Sequence, residues 1–399
     1  MNTAKQVYTR FWRGTIVVAS LTVLAYVLYF HQLGTLLPAY SPAEIASYKA
    51  SSDWHLILNN PINAPFKVPV WLGTAILHHG IIVTRYVAAS WGIVAVLLFF
   101  LIARLRYRYW IALTGTVLFA TSAGFLHAAR LGSGLVLQLG VLVFIWCILR
   151  YRARYDYRTF FGYIAALLLG LLFYIPGMVW FMLFGLILLN GGIRRQLREI
   201  ATGHLVGWAV SFFAVIAPLI YAIARKPSLA LDVAGLPHAL HTLTQYPQNL
   251  LHTLLDIGIR SDANPLLWVD HVPLLNVIEF ALIIIGIYMY IYRIRHTRSL
   301  SSIFLIGTTV LALLVASFGG SATIVILIPL IYLLIVSGLN NLLGQWLTVF
   351  PRNPIARSTG IVLVGVMLFF SVLYQVRSYF VAWPHNSDTR HSFERTIKP

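Results

Sequence analysis

Two acidic residues of the first polar stretch, Glu44 and Asp53, are the candidates for general-base chemistry in this sequence. The chain has only eleven Asp and Glu residues, so two carboxylates in one loop between apolar segments stand out. A carboxylate beside a substrate hydroxyl can take its proton as the hydroxyl attacks, which contributes about 10²–10⁴ in rate. We therefore predict that Glu44 and Asp53 are the catalytic residues.

Both carboxylates also have an ordinary structural explanation. The stretch Ser41-Pro42-Ala43-Glu44 has the form of a helix start, so Glu44 could complete a capping box with Ser41. Asp53 could be the N-cap of a second helix. Nine residues at about 100° each place the two side chains on opposite faces of one helix. Either the helix breaks before Asp53, or only one carboxylate faces a pocket.

Three arginines are the candidates for binding the phosphate of a substrate. Arg85 and Arg130 stand at the ends of apolar segments, and Arg260 lies in the longest polar loop. A guanidinium can bind phosphate through two parallel hydrogen bonds. The alternative is that these side chains extend to the lipid headgroups. Gly132 and Gly134 follow Arg130 closely and leave backbone room for a ligand, which favours Arg130.

Four histidines are predicted at the rim of the same site: His78, His79, His127 and His271. Adjacent histidines on a helix diverge by about 100°, so His78 and His79 would not normally bind one metal ion together. Cys147 is the single cysteine, which excludes an intrachain disulfide framework and a multi-thiolate metal site. We expect no cofactor, and a divalent metal is not favoured.

The composition indicates an integral membrane protein. The chain is 59% hydrophobic and 10% charged, with a mean hydropathy of +0.81, whereas soluble domains have about 25% charged residues. A spanning helix needs about 20 apolar residues. The predicted spans are 14–32, 84–103, 110–128, 133–149, 159–175, 178–190, 203–223, 274–292, 300–318, 322–338 and 359–376. The predicted fold is all-α: a polytopic transmembrane helical bundle of about 11 spans, in a single domain over 1–399.

The distribution of charge predicts the orientation in the membrane. With the N-terminus on the cytoplasmic side, 18 of the 29 lysines and arginines fall in inner segments, as the positive-inside rule requires. The net charge of +18 is then a topology signal and a contact with anionic lipids, and it indicates no nucleic-acid partner. Most acidic residues and histidines fall on the outer side, where the C-terminus also lies. An active site is therefore expected on the outer face of the cell membrane.

Three outer segments interrupt the membrane pattern. The first loop, 33–69, is predicted to hold a surface helix over about 41–52, and a second surface or re-entrant helix follows at 68–83. In the longest loop, 224–273, leucines near helical spacing predict amphipathic helices in the membrane interface. Residues 377–399 form a short outer tail.

Two predictions concern the connections between spans. The third and fourth spans should form a hairpin with its outer tip at 127–134. On the inner side, 340–350 should form a separate interfacial helix that ends before Pro351. Both predictions follow from where the apolar runs stop and polar residues begin.

The order of these features resembles the C-type (GT-C) integral membrane glycosyltransferases, most closely the protein-mannosyltransferase and aminoarabinose-transferase branch. The resemblance covers about residues 10–380. It rests on Ala43-Glu44-Ile45, Asn63-Ala64-Pro65-Phe66, Gly80 to Arg85, Ala129-Arg130, Tyr174-Ile175-Pro176-Gly177 and Pro273-Leu274-Leu275-Asn276. It implies transfer of a sugar from a polyprenyl-phosphate donor to an acceptor on the outer face. The acidic loop residue would then be the base, and basic residues would hold the donor phosphate, so the partners are membrane lipid and a lipid-linked sugar donor.

Three carboxylates that the resemblance leads us to expect are absent. Ala43, Ser133 and Asn276 stand at positions where relatives carry an acid. Their absence supports an alternative, a non-catalytic lipid-binding relative on the same fold, and makes metal dependence less expected. A transporter or flippase is a further alternative. It would need ionisable groups at the midplane and related halves, and the sequence shows few of the former and none of the latter.

Overall fold

The computed structural model describes residues 23–37, 39–152, 158–197, 200–239, 244–261, 264–265, 267–297 and 299–393. Across these ranges the chain forms helices and no strand, which confirms the all-α prediction. Residues 23–29 are helical, and the earlier part of the predicted first span lies outside the described residues.

The helices that follow are numbered in chain order. They are α1 Pro42–Ser51, α2 Trp54–Asn59, α3 Ala64–Leu77, α4 Ile82–Arg106, α5 Tyr109–Thr121, α6 Ala123–Arg130, α7 Val141–Arg152, α8 Arg158–Leu172, α9 Met178–Leu197, α10 Thr202–Arg225, α11 Leu229–Ala234, α12 Tyr246–Gly258, α13 Val277–Thr297, α14 Leu300–Ala316, α15 Ile328–Val349, α16 Pro354–Arg377, α17 Trp383–His385 and α18 Ser387–Phe393. Short 3₁₀ turns at Leu135–Gly140 and Ile324–Leu327 precede α7 and α15, and a π turn at Ser378–Ala382 follows α16.

Within the described residues, five helical segments are long and apolar enough to cross a membrane, so this is a multi-pass membrane protein. They are Ile82–Arg106, Thr202–Arg225, Val277–Thr297, Ile324–Val349 and Pro354–His385. The bent pair α5 and α6 would make a sixth span. Shorter apolar helices at Leu135–Arg150, Thr159–Leu172, Met178–Leu188 and Leu300–Ala316 coincide with four more of the predicted spans. The total of about eleven stays a prediction.

The centre of the molecule is α15, which is buried on all sides from Ile328 to Leu339. Its neighbour α13 crosses it at a point where both helices carry glycine. A Cβ atom on Gly338 would lie 2.0 Å from the carbonyl oxygen of Leu282, and one on Gly286 would lie 2.1 Å from that of Leu334. Membrane helices pack closely through such small residues, because lipid provides no hydrophobic force to press them together.

The prediction of a separate interfacial helix at 340–350 is wrong. α15 continues without a break to Val349. No proline interrupts the segment before Pro351, so polar residues such as Asn340 and Gln345 lie on the last turns of a spanning helix.

The end of the third predicted span also differs from the predicted hairpin. α5 ends at Thr121, and the chain turns by 62° into α6. Ser122 causes the bend, because its extended backbone ends α5 while its side chain accepts a hydrogen bond from the Phe125 N–H and caps α6. Every residue of α6 from Gly124 to Arg130 is buried.

The first loop and the longest loop both hold short helices, as the sequence predicts. In the first loop, α1 occupies the predicted 41–52, α2 begins after Asp53, and α3 starts at Ala64, four residues earlier than predicted. In the longest loop, α12 begins at Tyr246 and has Pro247 in its first turn, where proline is tolerated. Part of that loop, 240–243, lies outside the described residues.

Candidate functional site

Glu44 and Arg85 form a buried ion pair between the first loop and the start of α4. The Arg85 Nε donates to Glu44 Oε1 at 2.6 Å, and Nη2 donates to Oε2 at 3.0 Å. Neither residue is more than 3% exposed. Two parallel hydrogen bonds of this kind are the strongest geometry open to an arginine and a carboxylate.

The position of Glu44 follows from its place in the first turn of α1. Oε2 accepts from the Ser41 N–H at 2.8 Å, and Ser41 Oγ accepts from the Glu44 N–H at 3.2 Å, which completes the capping box. The Gly132 N–H donates to Oε1 at 3.1 Å. Each carboxylate oxygen therefore accepts two hydrogen bonds, which fills the capacity of the group. In this arrangement Glu44 has no free lone pair for a substrate hydroxyl.

Arg85 has further partners that tie the first loop to α4. Nη1 donates to the Leu33 carbonyl at 2.9 Å, and Nη2 donates to the Ala39 carbonyl at 2.9 Å. The Tyr40 ring covers the guanidinium at 4.5 Å. Glu44 thus neutralises the charge of Arg85, and nearly all N–H groups of the guanidinium donate a hydrogen bond.

Arg130, the last residue of α6, is a buried cation of a different kind. Nη1 donates to the Leu28 carbonyl at 2.6 Å and Nη2 to the His31 carbonyl at 2.7 Å. The rings of Tyr379 and Phe380 lie 5.4 and 4.9 Å from the guanidinium carbon. Among the described residues Arg130 has no carboxylate partner, and its buried Nε has no hydrogen-bond acceptor.

Arg85 and Arg130 both line a small cavity of about 10 Å³. This volume is enough for one water molecule. The π turn Ser378–Ala382 and the helix after it supply its aromatic wall, in which the rings of Tyr379 and Trp383 stack at 5.3 Å. π turns of this kind occur frequently at functional sites. The residues that line the cavity are Leu33, Leu36, Leu37, Arg85, Arg130, Leu131, Tyr379 and Trp383.

His127 lies one helical turn before Arg130 and behind the same aromatic wall. It is 2% exposed, and its ring meets those of Tyr379 and Trp383 edge-on at 4.8 and 4.4 Å. Its Nδ1 is buried with no hydrogen-bond partner in the described part of the chain. It lines a second cavity of about 10 Å³ together with residues that include Trp268.

The structure does not bring Asp53 to Glu44. Asp53 is exposed and caps α2, where its carboxylate accepts from the His55 N–H at 3.1 Å. The break between α1 and α2 at Asp53 is one of the two arrangements that helical phase left open. Asp53 is therefore placed as a capping residue.

The remaining predicted residues lie at the surface. His78 ends α3 with a left-handed backbone, and His79 follows it into solvent. Arg260 and His271 are exposed in the long loop, and Arg260 does not line the cavity of the other two arginines. Within the described ranges no three His, Cys, Asp or Glu side chains are grouped as metal ligands.

Sequence reasoning gave no role to Glu279, which is 0% exposed near the start of α13. Its carboxylate accepts from the Asn276 N–H at 3.2 Å, Gln375 Nε2 at 2.7 Å, and the Ser371 and Tyr332 hydroxyls at 3.1 Å. The available signal was Asn276 three residues before Glu279, which is a capping-box pattern at the entry of an apolar run.

Lys67 is a second buried group that sequence reasoning passed over. It is 8% exposed in α3, and its Nζ donates to the Asn60 carbonyl at 2.7 Å, beside the end of α2. Burial lowers the pKa of Lys67 from 10.5 to about 8. The signal in the sequence was a lysine within an otherwise apolar stretch of α3.

Comparison with known proteins gives a match in structure only. No protein-family model matches the chain, and no curated protein matches it significantly in sequence. ArnT from Cupriavidus metallidurans, an aminoarabinose transferase, superimposes with a TM-score of 0.53 when bound to undecaprenyl phosphate and 0.55 in the apo state. It is 14% identical, and the match covers 95% of this chain and 77% of that chain.

The second similar protein is the Archaeoglobus fulgidus oligosaccharyltransferase, tethered with an acceptor peptide that contains the NVT sequon. It has a TM-score of 0.58 at 12% identity, and the match covers 96% of this chain. This chain spans 56% of the length of that enzyme. Both similar proteins are GT-C glycosyltransferases. The chain therefore has the fold of the GT-C membrane glycosyltransferases, as the resemblance in its sequence implied.

Proposed function

We propose that this protein is a GT-C membrane glycosyltransferase that transfers a sugar from a polyprenyl-phosphate-linked donor to an acceptor on the outer face. The observation that carries the proposal is Arg130, a buried guanidinium with no counter-ion among the described residues and with a free Nε. It lies next to a second arginine in one cavity.

A buried charge without a partner is costly, so an unpaired arginine of this kind calls for an explanation. Two carbonyl oxygens and two aromatic rings hold the Arg130 guanidinium in place without neutralising it. A phosphate group at Nε would supply both the missing acceptor and the missing negative charge. The similar ArnT was crystallised with undecaprenyl phosphate, a ligand of this class.

In the proposed reaction the acceptor oxygen bonds to the first carbon of the sugar while the bond from that carbon to the phosphate oxygen breaks. The electron pair leaves with the phosphate, where the charge of Arg130 stabilises it. Glu44 is the proposed base that takes the acceptor proton. It can do so only if Arg85 releases it, and a donor phosphate that competes for the Arg85 guanidinium provides that release.

A second candidate is a non-catalytic relative that binds a lipid phosphate without turnover. The observation in its favour is the carboxylate of Glu44, which already accepts four hydrogen bonds. The absence of acids at Ala43, Ser133 and Asn276 points the same way.

The first test measures binding of undecaprenyl phosphate to the purified chain in nanodiscs. We expect Arg130→Ala to weaken binding by about tenfold or more, because a charged hydrogen bond contributes about 1.5–3 kcal/mol. Arg260→Ala is the matched control, since that arginine is exposed and outside the cavity. Equal affinity in wild type and Arg130→Ala contradicts the phosphate site.

The second test separates the two candidates by turnover. Membranes with the wild type or with Glu44→Gln are given polyprenyl-phosphate sugars, and transfer to endogenous acceptors is measured. Transfer by wild type that falls at least about 10²-fold in Glu44→Gln, in protein that still binds undecaprenyl phosphate, supports the enzyme with Glu44 as base. Phosphate binding without transfer in the wild type favours the non-catalytic relative.

A further inference from the structure

Glu279 is a buried carboxylate with no cation at ion-pair distance in the described part of the protein. Its four hydrogen-bond donors are neutral groups from its own helix start and from α15 and α16. Neutralisation of a nearby cation therefore does not explain why the Glu279 carboxylate is buried. Each of its two oxygens accepts from a different set of partners, and these partners lead to different places in the fold.

Oε2 connects Glu279 to Gln375, which is 2% exposed on α16. The Gln375 Nε2 donates to Glu279 Oε2 at 2.7 Å and to the Leu274 carbonyl at 3.3 Å. Its Oε1 accepts from the Ala123 N–H at 3.0 Å. Because Oε2 is an acceptor, only the NH₂ end of the Gln375 amide can face it. The carbonyl end must then face Ala123.

Ala123 is the first residue of α6, and Arg130 is the last. The first N–H groups of a helix have no partner within it, so the Gln375 carbonyl satisfies one of them. The Ser122 side chain satisfies another, at Phe125. A helix of 8 residues is about 12 Å long and rigid, so fixing one end fixes the other.

Oε1 has two partners, and they differ. It accepts from the hydroxyls of Tyr332 on α15 and Ser371 on α16. Tyr332 also interacts with Ser122, the N-cap of α6, whereas the bonds of Ser371 go to Glu279 and to the Asn276 side chain. The partners of the same carboxylate therefore differ in what they can influence. The bond to Gln375 reaches the helix that ends in Arg130, and the bond to Ser371 joins α13 to α16.

We propose that Glu279 and Gln375 are positioning residues of the phosphate site: Glu279 orients the Gln375 amide, and Gln375 holds the start of α6 so that Arg130 at its end faces the cavity. Neither residue touches the phosphate. This inference rests on the proposed lipid-phosphate site at Arg130.

The test compares two shape-conserving variants that each remove one hydrogen bond to Glu279. Gln375→Met removes the bonds to Oε2, to the Leu274 carbonyl and to Ala123. Ser371→Ala removes a bond to Oε1 and one from the Asn276 side chain, and neither of these involves α6. The dissociation constant for undecaprenyl phosphate in nanodiscs is measured beside the thermal unfolding midpoint. We expect both variants to unfold at lower temperature, and only Gln375→Met to bind about tenfold more weakly, because it alone removes the hydrogen bond to the start of α6.

A second pair of variants tests the orienting role of Glu279 itself. In Glu279→Gln the amide oxygen can still accept from Gln375, so we expect binding close to wild type. In Glu279→Met no acceptor is left, the Gln375 amide is free to turn, and we expect binding to weaken about tenfold. A role limited to packing would not produce this rescue by the conservative variant.

The outcomes separate the two proposals. If the wild type does not bind undecaprenyl phosphate, the proposed function fails, whatever the variants do. If the wild type binds and folded Gln375→Met binds equally well, or Ser371→Ala weakens binding as much, the positioning role is overturned. Where Gln375→Met yields no folded protein, Gln375→Asn replaces it, because the shorter amide cannot span from Glu279 to Ala123.

Discussion

At Glu44, one side chain caps α1 and neutralises an arginine that would otherwise be buried unpaired. The two tasks use the same oxygens, since each oxygen accepts one bond from Arg85 and one from a backbone N–H. The carboxylate consequently connects the first loop, the start of α4 and the chain after α6 through hydrogen bonds. A change at this residue acts on the loop and on the cavity together.

We expect Glu44→Gln to lower the free energy of unfolding by about 3–5 kcal/mol, because it leaves the Arg85 charge buried without a partner. Asp53→Asn is the matched control. Asp53 is exposed, and asparagine caps a helix as well as aspartate does, so the change should stay within about 0.5 kcal/mol. Denaturant unfolding in detergent measures both, and a Glu44→Gln protein as stable as wild type would refute the structural role of the ion pair.

Much of this residue-level picture follows from local sequence. The capping box at Ser41 and Glu44, the alternative for Asp53 and the choice of Arg85 and Arg130 can all be predicted from short motifs. The pairing cannot, because Glu44 and Arg85 are 41 positions apart and only the fold brings them together. For the same reason, the sequence cannot show that Arg85 has a carboxylate partner and that Arg130 has none among the described residues.

At the scale of elements, the crossing of α13 over α15 depends on two glycines. With hydrogen in place of a side chain at Gly338, the α15 backbone approaches the Leu282 carbonyl on α13 more closely than any other residue would allow. Gly286 permits the same approach from α13. Since Glu279 lies on α13 and Tyr332 on α15, this crossing also sets the distance spanned by their hydrogen bond.

We expect Gly338→Ala to destabilise the protein by about 1–3 kcal/mol, because its methyl group would force the two helices apart. Gly344→Ala is the matched control on the same helix, where a Cβ atom meets nothing within 4 Å. Gly344→Ala should stabilise the protein by up to about 1 kcal/mol, because alanine has a higher helix propensity than glycine. Thermal unfolding of both variants measures the difference, and equal midpoints would mean that the helices are not in close contact.

The sequence predicts which segments are helices, but it does not predict where a helix bends or how far it continues. Hydropathy finds the apolar runs of α4, α10 and α13 because length and apolarity suffice for that task. It joins α5 and α6 into one span, since both are apolar and the cause of the bend is the single residue Ser122. It also separates the end of α15 from its body, because polar residues on a helix that leaves the membrane resemble an interfacial segment.

At the scale of the whole molecule, the proposed orientation in the membrane accounts for the distribution of charged residues. The first loop, α6 and the segment after α16 meet at the candidate site, and our proposal places them on the outer face. The predicted inner segments carry most of the lysines and arginines. The proposed orientation thus puts the phosphate site on the side from which the acceptor would come.

Cysteine labelling tests this orientation. Ser52 follows α1 and Thr297 ends α13, and both are exposed. We expect a membrane-impermeant maleimide to label Ser52→Cys in intact cells and Thr297→Cys only after permeabilisation. The wild type is the control and should stay unlabelled, because Cys147 is buried. The reverse pattern would place the candidate site on the cytoplasmic side.

The aromatic wall over Arg130 has a consequence for the order of synthesis. Leu28 and His31, whose carbonyls hold the guanidinium, precede Arg130 in the chain, whereas Tyr379 and Phe380 follow it by about 250 residues. At about 5–20 residues per second, a ribosome needs about 12–50 seconds to make that stretch. During this interval the nascent protein has its cation and its carbonyl partners but no rings to cover them. The half of the proposed site that carries Arg130 is thus synthesised before the half that covers it.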